Sequence, residues 1–126
     1  MTTPALDPYQ DDCPTRRILD RIGDRWTVLI VGSLSDGALR FSDVQRRVQG
    51  ISQKMLTQTL RGLERDGLVT RTAYLEVPPR VEYALTDAGR SLLTPLKALE
   101  TWSIEHFAEV RDAQADYDGK VAVPTV

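Results

Sequence analysis

Apolar positions in this chain recur in short periodic runs, each bounded by proline, glycine or a residue suited to cap a helix. From Pro14, which suits a first helical position where a missing N–H costs nothing, Ile18, Leu19 and Ile22 follow at helical spacing until Gly23. Asp24 can cap a second helix in which Trp26, Leu29, Ile30 and Leu34 share a face, before Ser35-Asp36-Gly37 ends it. Both sides of that helix are apolar, which predicts a central position. Ser42-Asp43-Val44-Gln45 fits a capping box, with Val44 and Val48 as the apolar side and Gln49-Gly50 as the stop. Ser52 then caps a longer helix, with Ile51 placed to staple onto Leu56, and with Leu56, Leu60 and Leu63 as its buried stripe up to Gly67.

Past Gly67 the period changes. Leu68–Tyr74 and Arg80–Leu85 alternate as half-buried strands do, and Glu76-Val77-Pro78-Pro79 between them cannot continue a ladder, which predicts a hairpin with a stiff tip. Thr86 caps a last helical region with Leu92, Leu96, Leu99 and Trp102 at steps of three and four, Pro95 marking a kink or a new start. Short helix, glycine turn, helix and hairpin form the order of a winged helix-turn-helix, an α+β fold that is mostly α with a two-stranded wing. The expected organisation is a flexible acidic arm at 1–12, the winged domain with its flanking helices at 13–112, and a flexible tail at 113–126.

With its leucines buried, the helix after Ser52 exposes Lys54, Thr57, Gln58, Arg61 and Arg65, and Gln53 joins them at the N-terminal end. Each can donate a hydrogen bond, and none is acidic. A recognition helix presents this kind of stripe to a major groove: arginine can take guanine O6 and N7, glutamine adenine N6 and N7, and the helix N-terminus a phosphate. Arg80, on the proline-stiffened hairpin, is a candidate for a phosphate or minor groove, with an ion pair to Glu76 or Glu82 as the alternative; Arg71 is a weaker candidate. The bland alternative for the whole stripe is a solvated helix face.

Composition taken over the whole chain opposes this. The 126 residues, 41% hydrophobic and 27% charged, suit one soluble domain, yet the net charge is −2. Divided along the chain, residues 1–13 carry −3, residues 14–90 carry +4 and residues 91–126 carry −3, so the basic portion coincides with the helix-turn-helix and hairpin. The longest aliphatic run, Val28–Val31, is far too short to span a membrane, and the acidic start lacks the character of a signal peptide, so a cytoplasmic protein is expected. One cysteine and one histidine leave no intrachain disulfide and little material for a metal site or catalytic dyad. No cofactor and no enzymatic activity are expected, and His106 is read as a surface or interface residue.

The run from Cys13-Pro14 through Gly23 and Trp26, Gly50-Ile51-Ser52 with Lys54, Leu56-Thr57, and Pro78-Pro79 followed by Glu82-Tyr83 and Leu85-Thr86 resembles the HxlR-type transcriptional regulators, neighbours of the MarR group. The likeness covers about residues 13–104. It implies a homodimer of bacterial or archaeal type that binds a pseudo-palindromic operator in duplex DNA, with dimer contacts from the first and last helices. By the same likeness Ser52–Asp66 is the recognition helix and Leu68–Leu85 the wing. Independently, the stripe Leu92, Leu96, Leu99 and Trp102 is wider than a monomer of this size is expected to cover, which also points to a two-fold partner.

Cys13 precedes a helix-opening proline, where unpaired N–H groups and the helix dipole favour thiolate, as do Arg16 and Arg17; Asp11 and Asp12 favour the neutral thiol. The sequence leaves the sign of the net shift open. In many members of the resembling family a cysteine here senses quinones, aldehydes, disulfide stress or hypochlorite, in some through a second, C-terminal cysteine that this chain lacks. Alkylation, a mixed disulfide, sulfenic acid or a Cys13–Cys13 bridge between protomers then remain for a small electrophile or oxidant. The expectation is a DNA-binding regulator, repressor favoured over activator, with Cys13 as the candidate switch. The rivals are a winged-helix module that binds a protein or small ligand without redox sensing, and a small thiol enzyme, which lacks a base near Cys13.

Overall fold

The computed structural model describes residues 5–122. In chain order the elements are α1 (Thr15–Gly23), α2 (Arg25–Ser33), β1 (Leu39–Arg40), α3 (Phe41–Arg47), α4 (Gln53–Arg65), β2 (Val69–Tyr74), β3 (Arg80–Leu85), α5 (Asp87–Ser91), α6 (Leu93–Glu105) and α7 (Phe107–Ala122). They fall into two compact units, Met1–Leu93 and Thr94–Val126. The first is a winged helix-turn-helix: mostly helical, with a small antiparallel sheet ordered β1-β3-β2.

Its core follows the apolar periodicity. In α2, Asp24 accepts from the Trp26 N–H at 2.8 Å, and Thr27, Ile30, Val31 and the following Leu34 are buried. Leu29, expected on the buried face, is half exposed at 51%. In α4, the Ser52 hydroxyl accepts from the Met55 N–H at 3.0 Å, and Leu56, Leu60 and Leu63 are almost fully buried, each contributing about 1.5–3 kcal/mol. Gly67, at φ +74°, lets the chain turn left-handed, so that Leu68 N–H bonds Leu63 C=O and Gly67 N–H bonds Glu64 C=O.

The capping box expected at Ser42 does not form. Leu39 and Arg40 pair with Tyr83 and Glu82 of β3, so the chain leaves the extended state at Arg40 and α3 opens on Phe41 with no side-chain cap. The wing hairpin has the predicted strands, in register from Val69↔Leu85 to Tyr74↔Arg80. Alternation puts Val69, Arg71, Tyr83 and Leu85 on one face and Thr70, Thr72, Tyr74, Arg80 and Glu82 on the other. Val69 is 2% exposed, which identifies the first face as the core side.

Thr86 closes the hairpin: its hydroxyl donates to Gly67 C=O at 2.6 Å and accepts from Gly89 N–H at 3.1 Å, capping α5. Pro95 lies in the first turn of α6, a new start after the break at Leu92. In the second unit α6 and α7 follow each other through His106, whose ring stacks on Trp102 at 4.5 Å. The residues expected to fray from 113 onwards continue α7 to Ala122, and Gly119 does not break it, since a single glycine costs a helix only about 1 kcal/mol. Residues 7–12, expected to be a loose arm, form turns that Arg16 ties down by donating to Pro8 C=O at 2.8 Å and Tyr9 C=O at 3.0 Å. The remainder of the arm, 1–4, and of the tail, 123–126, lies outside the described residues. No helix among the described residues is long and apolar enough to cross a membrane.

Candidate nucleic-acid interface

α4 turns its leucines inward and leaves Ser52, Gln53, Lys54, Gln58, Arg61 and Arg65 exposed, with Thr57 half-buried. At 100° per residue, Lys54, Gln58 and Arg65 lie opposite the leucines, with Arg61 and Thr57 to one side of them. On one flank Thr57, Arg61 and Glu64 line a cleft of about 370 Å3 with Arg71 of β2 and Tyr83 of β3. On the other flank Arg65 shares a groove with Arg17, Ile18, Asp20, Arg21, Asp24 and Asp66. Glu64 therefore corrects the expectation of a stripe without acids: it borders Arg61 one turn along.

Arg71, a weaker candidate by sequence, and Tyr83, which the sequence does not single out, both belong to this cleft. They are directly opposed in the β2–β3 ladder and follow Val69↔Leu85 on the core side, so they stand at the rim of the core facing α4. The signal was available in the two-residue alternation once register was known. Among the described residues neither Arg61 nor Arg71 has a carboxylate within ion-pair distance.

Arg80 behaves differently. Its guanidinium reaches Glu76 at 3.1 Å and Glu82 at 3.6 Å and lies 4.1 Å above the Tyr74 ring. That is the ion-pair alternative, on the sheet face opposite Arg71, and it leaves Arg80 little uncompensated charge.

Cys13 is 9% exposed, with Sγ 3.0 Å from the Thr15 hydroxyl. That hydrogen bond, aided by the backbone N–H groups of Thr15 and Asp7, holds the thiol below its ordinary value against the opposing effects of burial and the Asp7 carboxylate. The downward direction comes first from the Thr15 hydroxyl rather than from the flanking charges. Arg16 spends its donors on the carbonyls of the arm. Of the four residues expected at a dimer contact, Leu92 is half-buried, Leu96 is buried, and Leu99 and Trp102 are 58% and 54% exposed.

Comparison with known proteins agrees with this architecture. A family model described as HxlR-like helix-turn-helix matches residues 21–111. The HTH-type transcriptional regulator YtfH of Escherichia coli (strain K12) is 42% identical over 110 residues, covering 85% of this chain and 87% of that protein. The solved structure of the transcriptional regulator ytfH from Salmonella typhimurium superposes with a TM-score of 0.82 at 39% identity, over 88% of this chain and 99% of that one. The redox regulator HypR in its oxidised form matches with a TM-score of 0.69 at 41% identity, over 74% of this chain and 96% of its own.

Proposed function

The chain belongs to the HxlR-like helix-turn-helix family of transcriptional regulators rather than to an enzyme family, and on that premise we propose that it is a homodimeric repressor that reads a pseudo-palindromic operator in duplex DNA through α4. The observation that carries this is the division of α4 itself: Leu56, Leu60 and Leu63 fix one side in the core, and Gln53, Lys54, Gln58 and Arg61 are presented as donors on the other. A helix held this firmly keeps its exposed side chains preorganised for a groove, and the Ser52 cap sits at the end where phosphate is favoured. Arg65 is proposed as an outlying contact to the backbone, and Arg80, held by Glu76 and Glu82, is not.

The dimer is supported by apolar side chains left in water. Ile18 and Leu19 of α1 are more than half exposed, as are Leu99, Trp102, Ile104 and Phe107 of α6 and α7. A two-fold partner covering such surface sets two reading helices about 34 Å apart, one turn of duplex.

Cys13 is proposed as the switch. The thiolate favoured by Thr15 adds to the electrophilic carbon of a quinone or unsaturated aldehyde, forming a thioether, with water supplying the proton taken up by the adduct. With a small disulfide it forms a mixed disulfide and expels the other thiolate. Either adduct enlarges a nearly buried side chain at the start of α1 and displaces the helix that meets α4. Similarity to a redox regulator, HypR, supports this assignment.

The test is selection of bound duplexes from a random library by the purified chain. An enriched pseudo-palindrome with half-sites centred about one helical turn apart is expected, and release of that duplex by diamide or quinone should disappear in Cys13→Ser. A library that yields no motif contradicts the operator assignment, and a Cys13→Ser chain that still releases DNA removes Cys13 from the mechanism.

A further inference from the structure

We propose that the cleft between α4 and the sheet seats a single backbone phosphodiester of the duplex, gripped from two sides by Arg61 and Arg71 with Tyr83 as a neutral donor. This rests on the DNA-binding assignment and goes beyond it, because it converts Arg61 from a base reader into half of a phosphate clamp and recruits two residues of the sheet. Three observations carry it.

The first is placement. β2 and β3 present Arg71 opposite Tyr83 on the core side, one same-face step beyond the buried Val69, so both emerge where the sheet meets α4. Arg61, from the helix, lines the same 370 Å3 space. Side chains projecting from a helix and from a strand into one crevice converge on a compact group. A base edge is read instead by side chains that stand clear of their scaffold and reach into the groove.

The second is charge. Arg61 and Arg71 have no carboxylate within ion-pair distance among the described residues, and Glu64 is the acid in the cleft, so its net charge is +1. A phosphodiester carries one negative charge and matches it; a dianionic phosphate monoester would be undercompensated beside Glu64. The third is donor chemistry. Guanidinium groups offer paired N–H donors matched to phosphate oxygens, and the hydroxyls of Tyr83 and Thr57 add neutral donors. Arg80, by contrast, is already paired with two glutamates on the other face of the same hairpin.

The experiment titrates the full-length protein into labelled duplex, both a selected operator and a random sequence, over a series of salt concentrations. Each substitution is present in both protomers of the bound dimer, so Arg71→Gln and Arg61→Gln should each weaken both duplexes by the same factor and lower the slope of log affinity against log salt by up to about 1.8. The double variant should lower it by about 1.8 in total, because both arginines of a protomer serve one phosphate. A loss of about 3.6 means two separate phosphates per protomer and overturns the shared seat. Tyr83→Phe should weaken both duplexes with no change in slope, whereas Lys97→Gln, the same loss of charge on α6, should change neither. Glu64→Gln should tighten both duplexes, an effect that a misfolded variant cannot produce. A second arm adds orthophosphate at constant ionic strength. If Arg71→Gln abolishes competition by orthophosphate but keeps the duplex slope, the cleft holds a small anion and the proposal fails. If Arg61→Gln loses affinity for the operator alone, Arg61 reads a base and the proposal fails. Wild-type protein with no salt-dependent duplex affinity overturns the DNA assignment itself, and with it this seat.

Discussion

Arg21 of α1 donates through Nε to Oδ2 of Asp66 at 2.8 Å, its guanidinium lying across Gly62 of α4 where a methyl group would collide with it. The pair joins the helix that begins two residues after Cys13 to the end of the helix proposed to read DNA. Both side chains are about a third exposed, so the ion pair is worth less than about 1 kcal/mol and is screened by salt. A double-mutant cycle of Arg21→Ala and Asp66→Ala by urea denaturation should return a coupling of that size. In Gly62→Ala, where the guanidinium must swing away, the same cycle should return none.

Gly89 is a sharper steric test. A Cβ there would overlap the carbonyl oxygen of Leu68, which is backbone and already accepts the Thr86 N–H at 3.1 Å. Unlike the arginine at Gly62, this neighbour cannot move aside alone. Gly89→Ala should destabilise the protein by about 3 kcal/mol, the upper end of overpacking costs, in chemical denaturation.

Ser52→Ala should cost about 1 kcal/mol, because the Met55 N–H loses its acceptor at the start of α4. Ser52→Asp should restore most of it, since a carboxylate also caps and meets the positive end of the dipole. Thermal unfolding of the three chains checks the order.

Cys13 provides the pH dependence. The Thr15 hydrogen bond lowers the thiol pKa in the folded chain, so alkylation by iodoacetamide should rise with pH through a midpoint below that of an ordinary thiol. Thr15→Val should move the midpoint upward. The linked stability has a definite sign: a depressed folded pKa adds stability that is present above the ordinary thiol pKa and is lost as pH falls through the lowered one. Wild type should therefore gain stability relative to Thr15→Val on the alkaline side, measured by denaturation at a series of pH values.

Local rules made some of this legible in the sequence and long-range pairing hid the rest. Ser52, the leucine stripe and Gly67 announce α4 because cap, period and stop are all set within its own residues. β1 was invisible, since Leu39 and Arg40 become a strand only by pairing with residues more than forty positions later, and that pairing also cancelled the Ser42 cap. The same reason hid Tyr83 and demoted Arg71: their place beside α4 depends on hairpin register, which turn composition alone leaves undetermined. Arg80 was legible only as two alternatives, and its glutamate neighbours took the ion-pair one.

The central claim, that this protein grips duplex DNA through α4, is tested most directly by titrating wild-type protein against one duplex at about 50 mM and about 200 mM salt. A protein neutralising several phosphates should lose roughly three orders of magnitude in affinity between the two. An affinity that stays nearly constant across that range would contradict the account.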